Sequence, residues 1–254
     1  MTYMNKHFLF LVLLTLTVAC RSSYQLKSID RTRIVVDARY DAQPDEEAAL
    51  FLAPYKHQVD SVMGPKVGRS AKYMTAQRPE GTLSNLLADI LMWAAKDYQE
   101  TPDFGVYNMG GVRADLPKGD VTYGDVLDVA PFENKIAFTT LSGETVMELF
   151  SQIASTGGEG LSKGVKLVIT KDYKLKSATL NGEPIDPKRD YRITTIDYLL
   201  GGTDKMTAFK KGTNVNSPQE KLNNTRFIIM NYFREFQQQG LEVDAQIEGR
   251  ITVE

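Results

Sequence analysis

The chain is poor in the residues that most hydrolases are built around. It has one cysteine, Cys20, and two histidines, His7 and His57, in 254 residues. A lone cysteine rules out an intramolecular disulfide. Two histidines, one of them in the first ten residues, cannot furnish the several imidazoles that a paired-metal centre consumes. No D-x-H, GNH or GHxH run occurs. Excess charge of one sign is also missing: 30 Lys and Arg stand against 32 Asp and Glu, so no basic field exists to hold a DNA or RNA polymer. The apolar run Phe8 to Ala19 is too short to span a bilayer as a mature helix.

That run does suit the apolar region of a secretory signal peptide, with Lys6 before it. Its end, LTVAC, resembles a bacterial lipobox, which makes Cys20 the residue that would carry lipid. Thr17 departs from the usual leucine. The expected organisation is a lipoprotein signal peptide over 1–20, a tether and first strand over 21–43, and one folded domain over 44–254. The expected location is extracytoplasmic, anchored by lipid to a bacterial membrane, in the periplasm or at the cell surface.

Within the folded part, Ile34 to Val36 reads as a strand, and Asp45 to Met63 carries apolar residues at helical spacing with Pro54 inside. Gly81 to Tyr98 predicts a helix capped by Thr82, with Leu83, Leu86, Leu87, Ile90, Leu91 and Ala94 along one broad stripe. Thr122 and Asp125 form a capping box, and Ser142 caps a helix that stops at Gly157 and Gly158. Ser217, Pro218 and Glu220 suggest another capping box, opening a helix that runs to Gly240. Strands are expected at Phe104 to Tyr107, Lys135 to Leu141, Val165 to Thr170, Leu175 to Leu180, Tyr191 to Ile196 and Ile251 to Val253, with a tight turn at Asn181 and Gly182. Helices and strands alternate irregularly, so the expected class is α+β, with mixed sheets packed on helices.

The most informative stretch is FGVYNMGGVRADLPKGDVTYGDVLDVAPFENK, Phe104 to Lys135. Polar and glycine residues follow a short apolar strand there, so backbone amides, the Asn108 amide and the Arg113 guanidinium stand together as an anion-gripping group. The segment resembles the signature of the 5'-nucleotidase C-terminal domain family, in which Asn-Gly-Gly-Gly-Ile-Arg, Gly-x-Ile-Thr-Tyr and Pro-Phe-Gly-Asn motifs follow in this order. TLSNLLAD (Thr82 to Asp89), STGGEGLSKGVKLVIT, YRITTIDYLLGGTDKM (Tyr191 to Met206) and EGRI (Glu248 to Ile251) continue the resemblance over about residues 44–254.

The resemblance implies a nucleotide site. It implies that Asn108 and Gly111 contact the nucleotide and Arg113 binds phosphate. Phe132 and Tyr198 would sandwich the base, Asn134 would contact it, and Asp204 would hold the ribose hydroxyls. Arg78 is the nearest candidate for a second phosphate arginine, one place out of register. Met109, Glu133, Lys135, Thr203 and Lys205 depart from the family's small residues and would reshape the pocket. Without the resemblance, Phe132 and Tyr198 read sooner as core aromatics than as base stackers, Gly110 and Gly111 as a turn that Asn108 caps, Asp204 as a turn residue, and Arg113 as a surface partner of Asp115 or Asp120. His57 reads as a surface helix residue.

The implied function is the nucleotide- or nucleoside-recognition component of an extracytoplasmic 5'-nucleotidase. A separate metallophosphatase chain would break the phosphoester, and divalent metals are expected on that partner and not as a cofactor of this chain. Two alternatives stay open: a nucleoside- or nucleotide-binding lipoprotein without a catalytic role, and a structural domain whose pocket has decayed.

Overall fold

A computed structural model describes residues 24–42 and 44–254; Cys20 and the signal segment lie outside the described residues. The chain divides into two compact units, Met1–Phe51 and Leu52–Glu254. In the first unit the described residues are exposed, and Ile34, Val35 and Val36 form no strand. An apolar run alone does not make a strand, because each backbone N–H and C=O needs a neighbour. The segment has none among the described residues.

Helix α1, Glu46–Met63, begins in the first unit and ends in the second; it contains Pro54 and exposes His57. Among the described residues, no helix is long and apolar enough to cross a membrane. In the second unit, β1 (Lys66–Ser70) pairs antiparallel with β3 (Gly119–Thr122). Helix α2, Thr82–Ala94, buries Leu83, Leu86, Leu87, Ile90, Leu91 and Ala94, so its stripe faces the core as the period demands. Its N-cap is Gly81 and not Thr82, which is the first helical residue. A Cβ at position 81 would lie 2.6 Å from the Thr75 carbonyl oxygen, so the close approach of that strand-like segment requires glycine.

The central sheet is five-stranded and mixed. It contains β2 (Phe104–Tyr107), β4 (Ile136–Ser142), β5 (Gly160–Leu161), β9 (Asp190–Ile196) and β10 (Thr213–Asn216), in the order β10-β4-β9-β2-β5. Only the β2–β9 pairing is parallel. Helix α3, Tyr123–Val129, starts at the Thr122 and Asp125 capping box, and α4, Gly143–Ser155, starts at Ser142. A second mixed sheet contains β6 (Val165–Ile169), β7 (Leu175–Leu180), β8 (Glu183–Pro184) and β11 (Ile251–Val253). Asn181 and Gly182, with φ of 53° and 86°, turn β7 into β8. The fold is α+β.

One helix starts later than its sequence suggests. Ser217, Pro218 and Glu220 lie outside any helix, and α6 runs Thr225–Gln238 with Asn224 as its N-cap. Remote pairing overrides the local signal: the Thr225 N–H donates to the Asn134 carbonyl at 2.9 Å, and Asn224 forms an isolated bridge with Lys135. A backbone tied sideways there cannot continue an upstream helix.

Candidate functional site

Strand β2 ends at Tyr107, whose phenol burial pushes up to about 12, so it stays neutral beneath the site. Asn108 follows and is buried, capping the short 3-10 turn Met109–Gly111. Its amide nitrogen donates to Asp204 Oδ2 at 2.6 Å, and its Oδ1 is buried without a partner. A buried acceptor with nothing to accept from is costly unless a ligand supplies the donor. Two glycines pack closely against Asn108 and Asp204. A Cβ at Gly111 would come within 2.8 Å of Asn108 Oδ1, and one at Gly110 within 3.1 Å of Asp204 Oδ2.

The loop after α3 carries Phe132 and is anchored from below. Arg226 of α6, itself buried, donates to the carbonyls of Ala130 at 3.2 Å and Pro131 at 2.6 Å. On the neighbouring strand, β9 passes into the short helix α5, Asp197–Leu200, which carries Tyr198. Two bonds latch these segments: the Lys135 N–H donates to Asp197 Oδ1 at 3.0 Å, and the Asp197 N–H donates to the Lys135 carbonyl at 2.9 Å. Ile136 and Ile196 pair directly beneath.

Phe132 and Tyr198 are 47% and 43% exposed, which removes the reading of either as a core aromatic. Both line a cavity of about 160 Å³ together with Asn108, Gly110, Gly111, Asn134 and Asp204. The Tyr198 hydroxyl donates to Asp204 Oδ1 at 3.1 Å, so Asp204 is held on both oxygens and still has acceptor capacity on each.

A larger, open cavity of about 710 Å³ adjoins it, sharing Gly110 and Asp204 and including Arg78, Met109, Glu159, Tyr173 and Lys205. Glu159, with its side chain 1% exposed, accepts from Arg78 Nη2 and from the Met109 N–H, both at 2.5 Å, and from Thr156 Oγ1 at 3.1 Å. Arg78 also donates to the Gly158 carbonyl at 2.8 Å.

Six of the residues singled out in the sequence thus surround the smaller cavity, and Arg78 stands in the larger one. Arg113 is exposed and lines neither cavity. Nor does it pair with Asp115 or Asp120: Asp115 accepts from Tyr73, and Asp120 pairs with Lys66 and Arg69. Glu159, Arg226 and Tyr173 were not singled out. Glu159 had a signal in the glycine turn around it, whereas Arg226 had none, since its partners are 95 and 96 residues away. Among the described residues, no group of three or more His, Cys, Asp or Glu could hold a metal ion.

Comparison with known proteins gives a consistent result. Residues 61–211 match the family described as "5'-nucleotidase, C-terminal domain". Protein UshA of Salmonella pullorum is 28% identical over 200 residues, covering 77% of this chain and 35% of that protein. The cell wall protein Lmo0130 of Listeria monocytogenes is 27% identical over 232 residues, covering 82% of this chain and 29% of its own length. The chain therefore spans about a third of the length of these curated relatives. The crystal structure of a 5'-nucleotidase precursor from Thermus thermophilus shares the fold, with a TM-score of 0.69 at 24% identity, over 84% of this chain and 44% of that one.

Proposed function

Because the chain belongs to the 5'-nucleotidase C-terminal domain family, we propose that it is the nucleotide- or nucleoside-recognition component of an extracytoplasmic 5'-nucleotidase. The observation that carries this reading is the pair of half-exposed rings, Phe132 and Tyr198, lining one small cavity with the Asp204 carboxylate. At about 160 Å³ that cavity is smaller than a drug-sized pocket of roughly 300 Å³ or more and suits a single ring system. Stacking between two aromatic faces contributes on the order of 1–3 kcal/mol per base and tolerates different bases.

In this reading the base lies between Phe132 and Tyr198 with Asn134 at its edge. Asp204 accepts from the ribose hydroxyls, Asn108 positions Asp204 through its amide nitrogen, and Gly110 and Gly111 leave room for the ligand. Of the two candidate phosphate arginines, Arg78 lines the adjoining cavity and Arg113 does not, but the Arg78 guanidinium is engaged by Glu159 and the Gly158 carbonyl. Divalent ions on a separate metallophosphatase chain would activate the attacking water and stabilise the leaving phosphate. This chain's part is to bind and orient.

Mixing the full chain with a metallophosphatase chain, AMP and a divalent metal should raise phosphate release roughly tenfold above the partner alone, the gain of an oriented substrate. No enhancement at any ratio refutes the two-chain arrangement. The alternative outcome of this test is ligand capture without catalysis. Tight calorimetric binding of AMP with no effect on the phosphatase selects it.

The extracytoplasmic location is supported by the signal-like segment ending at Cys20 and by similarity to a cell wall protein. Metabolic labelling with a fatty acid should mark the wild-type chain and leave Cys20→Ser unmarked. A labelled variant removes the lipid anchor from the proposal.

A further inference from the structure

Asp204 and Lys205 are consecutive non-glycine residues at φ of 50° and 65°, a region that L side chains rarely adopt. Asp tolerates that backbone because its short polar side chain can bond locally, whereas Lys has no such compensation. Lys205 is also not held by neighbours. Its ammonium makes no hydrogen bond or ion pair among the described residues. A strained position occupied by an unpartnered cation points to a use outside the fold.

The charges around the larger cavity say what that use is. Its lining holds two carboxylates, Asp204 and Glu159, and two cations, Arg78 and Lys205. Arg78 is already committed to Glu159 at 2.5 Å and to the Gly158 carbonyl at 2.8 Å. Without Lys205 the cavity would set two carboxylates against one guanidinium, and its net field would repel a phosphate. With it the charges balance and one cation stays unspent. Asp204, which borders both cavities, is its immediate chain neighbour, so a ribose held at Asp204 stands beside Lys205.

We propose that Lys205 selects phosphorylated nucleosides over unphosphorylated ones, by offering the unpaired ammonium of the larger cavity to the ligand's phosphate. This rests on the reading of the smaller cavity as a nucleoside site. Phe132 and Tyr198 hold adenosine and AMP alike; Lys205 distinguishes them.

Calorimetry on the full chain with adenosine and with AMP, at low and at high salt, tests this with the variants Lys205→Gly and Lys205→Arg. Glycine suits a φ of 65°, so Lys205→Gly keeps the fold, and its melting temperature should be no lower than that of the wild type. The expected result is an AMP affinity about tenfold lower in Lys205→Gly, the factor of one charge-assisted contact, with adenosine unchanged and most of the salt dependence gone. Lys205→Arg should keep the preference for AMP. Lys205→Gly binding AMP as the wild type does, or losing adenosine and AMP equally, overturns the inference. A wild-type chain that binds adenosine and AMP with equal affinity overturns it while leaving the nucleoside reading intact. If the wild type binds neither ligand, the nucleoside reading fails and the inference falls with it.

Discussion

Arg250→Ala should lower the unfolding free energy by about 3 kcal/mol, seen as a lower denaturation midpoint with an unchanged m-value. The guanidinium is 4% exposed and pairs with Asp89 at 2.7 Å and Glu248 at 2.8 Å, and it donates to the Leu161 carbonyl at 2.6 Å. Burial by itself pushes Arg250 down, but the bonds to Asp89 and Glu248 outweigh it and hold the group above its ordinary value. Truncation takes the cation from Asp89, leaves Glu248 with Lys163 at 3.6 Å, and removes a donor from the Leu161 carbonyl. The loss falls at the low end for a buried pair because Asp89 and Glu248 are 31% and 33% exposed and regain some water. Glu80, also buried, accepts from the backbone N–H groups of Glu248 at 2.9 Å and Arg250 at 3.0 Å, so the same cluster fixes the chain ahead of β11.

The cluster also sets a pH dependence. Burial pushes the Glu248 carboxyl up, yet the Arg250 bond and the nearby cations outweigh it, and its net value lies below the ordinary carboxylate range. A depressed folded value stabilises the fold fully above the unfolded value of about 4.3. That contribution drains away as pH falls through the folded value.

Asp204→Asn should weaken adenosine and AMP binding by about 100-fold and lower stability by about 1 kcal/mol, the loss of one internal hydrogen bond. Asparagine tolerates the φ of 50° at this position, so the backbone is not at issue. The amide retains one acceptor oxygen, and its NH2 group meets either Asn108 Nδ2 or the Tyr198 hydroxyl, both of which donate to the native carboxylate. Hydrogen bonds from the two ribose hydroxyls to a charged group contribute roughly 1.5–3 kcal/mol each, and losing most of the two converts to about two powers of ten. Calorimetry measures the affinity and thermal unfolding the stability. Binding within threefold of wild type would remove Asp204 from the ribose role.

What was legible in the sequence follows from where each signal is stored. The stripe on α2 is local and periodic, and the structure buries Leu83, Leu86, Leu87, Ile90 and Leu91 as that period requires. Asn181 and Gly182 carry their own turn chemistry, and Thr122 and Asp125 their own cap. Strands β1, β3 and β10 went unread because they are short and exist through partners far along the chain; β1 pairs with residues about fifty positions later. The start of α6 was misplaced for the same reason, since Asn134 and Lys135 hold its first residues.

For the site, the ordered motifs brought Asn108, Gly111, Phe132, Asn134, Tyr198 and Asp204 to attention, and the fold gathers them around one cavity. Motif order could not place Arg113, because a long exposed side chain is not fixed by its position in a loop. Nor could it reveal Arg226, whose partners are backbone carbonyls and leave no trace in residue type.

The two rings hang from adjacent strands. Phe132 lies just before β4 and Tyr198 just after β9, and Ile136 faces Ile196 across the ladder. Their separation is thus inherited from the spacing of a β-ladder, which no side-chain change alters. Such jaws are retuned by lengthening or shortening a hinge and not by rebuilding the body behind it. A single residue inserted between Phe132 and Lys135 would slide one jaw past the other and leave the sheet untouched, so descendants of this scaffold can change diet without having to learn to fold again.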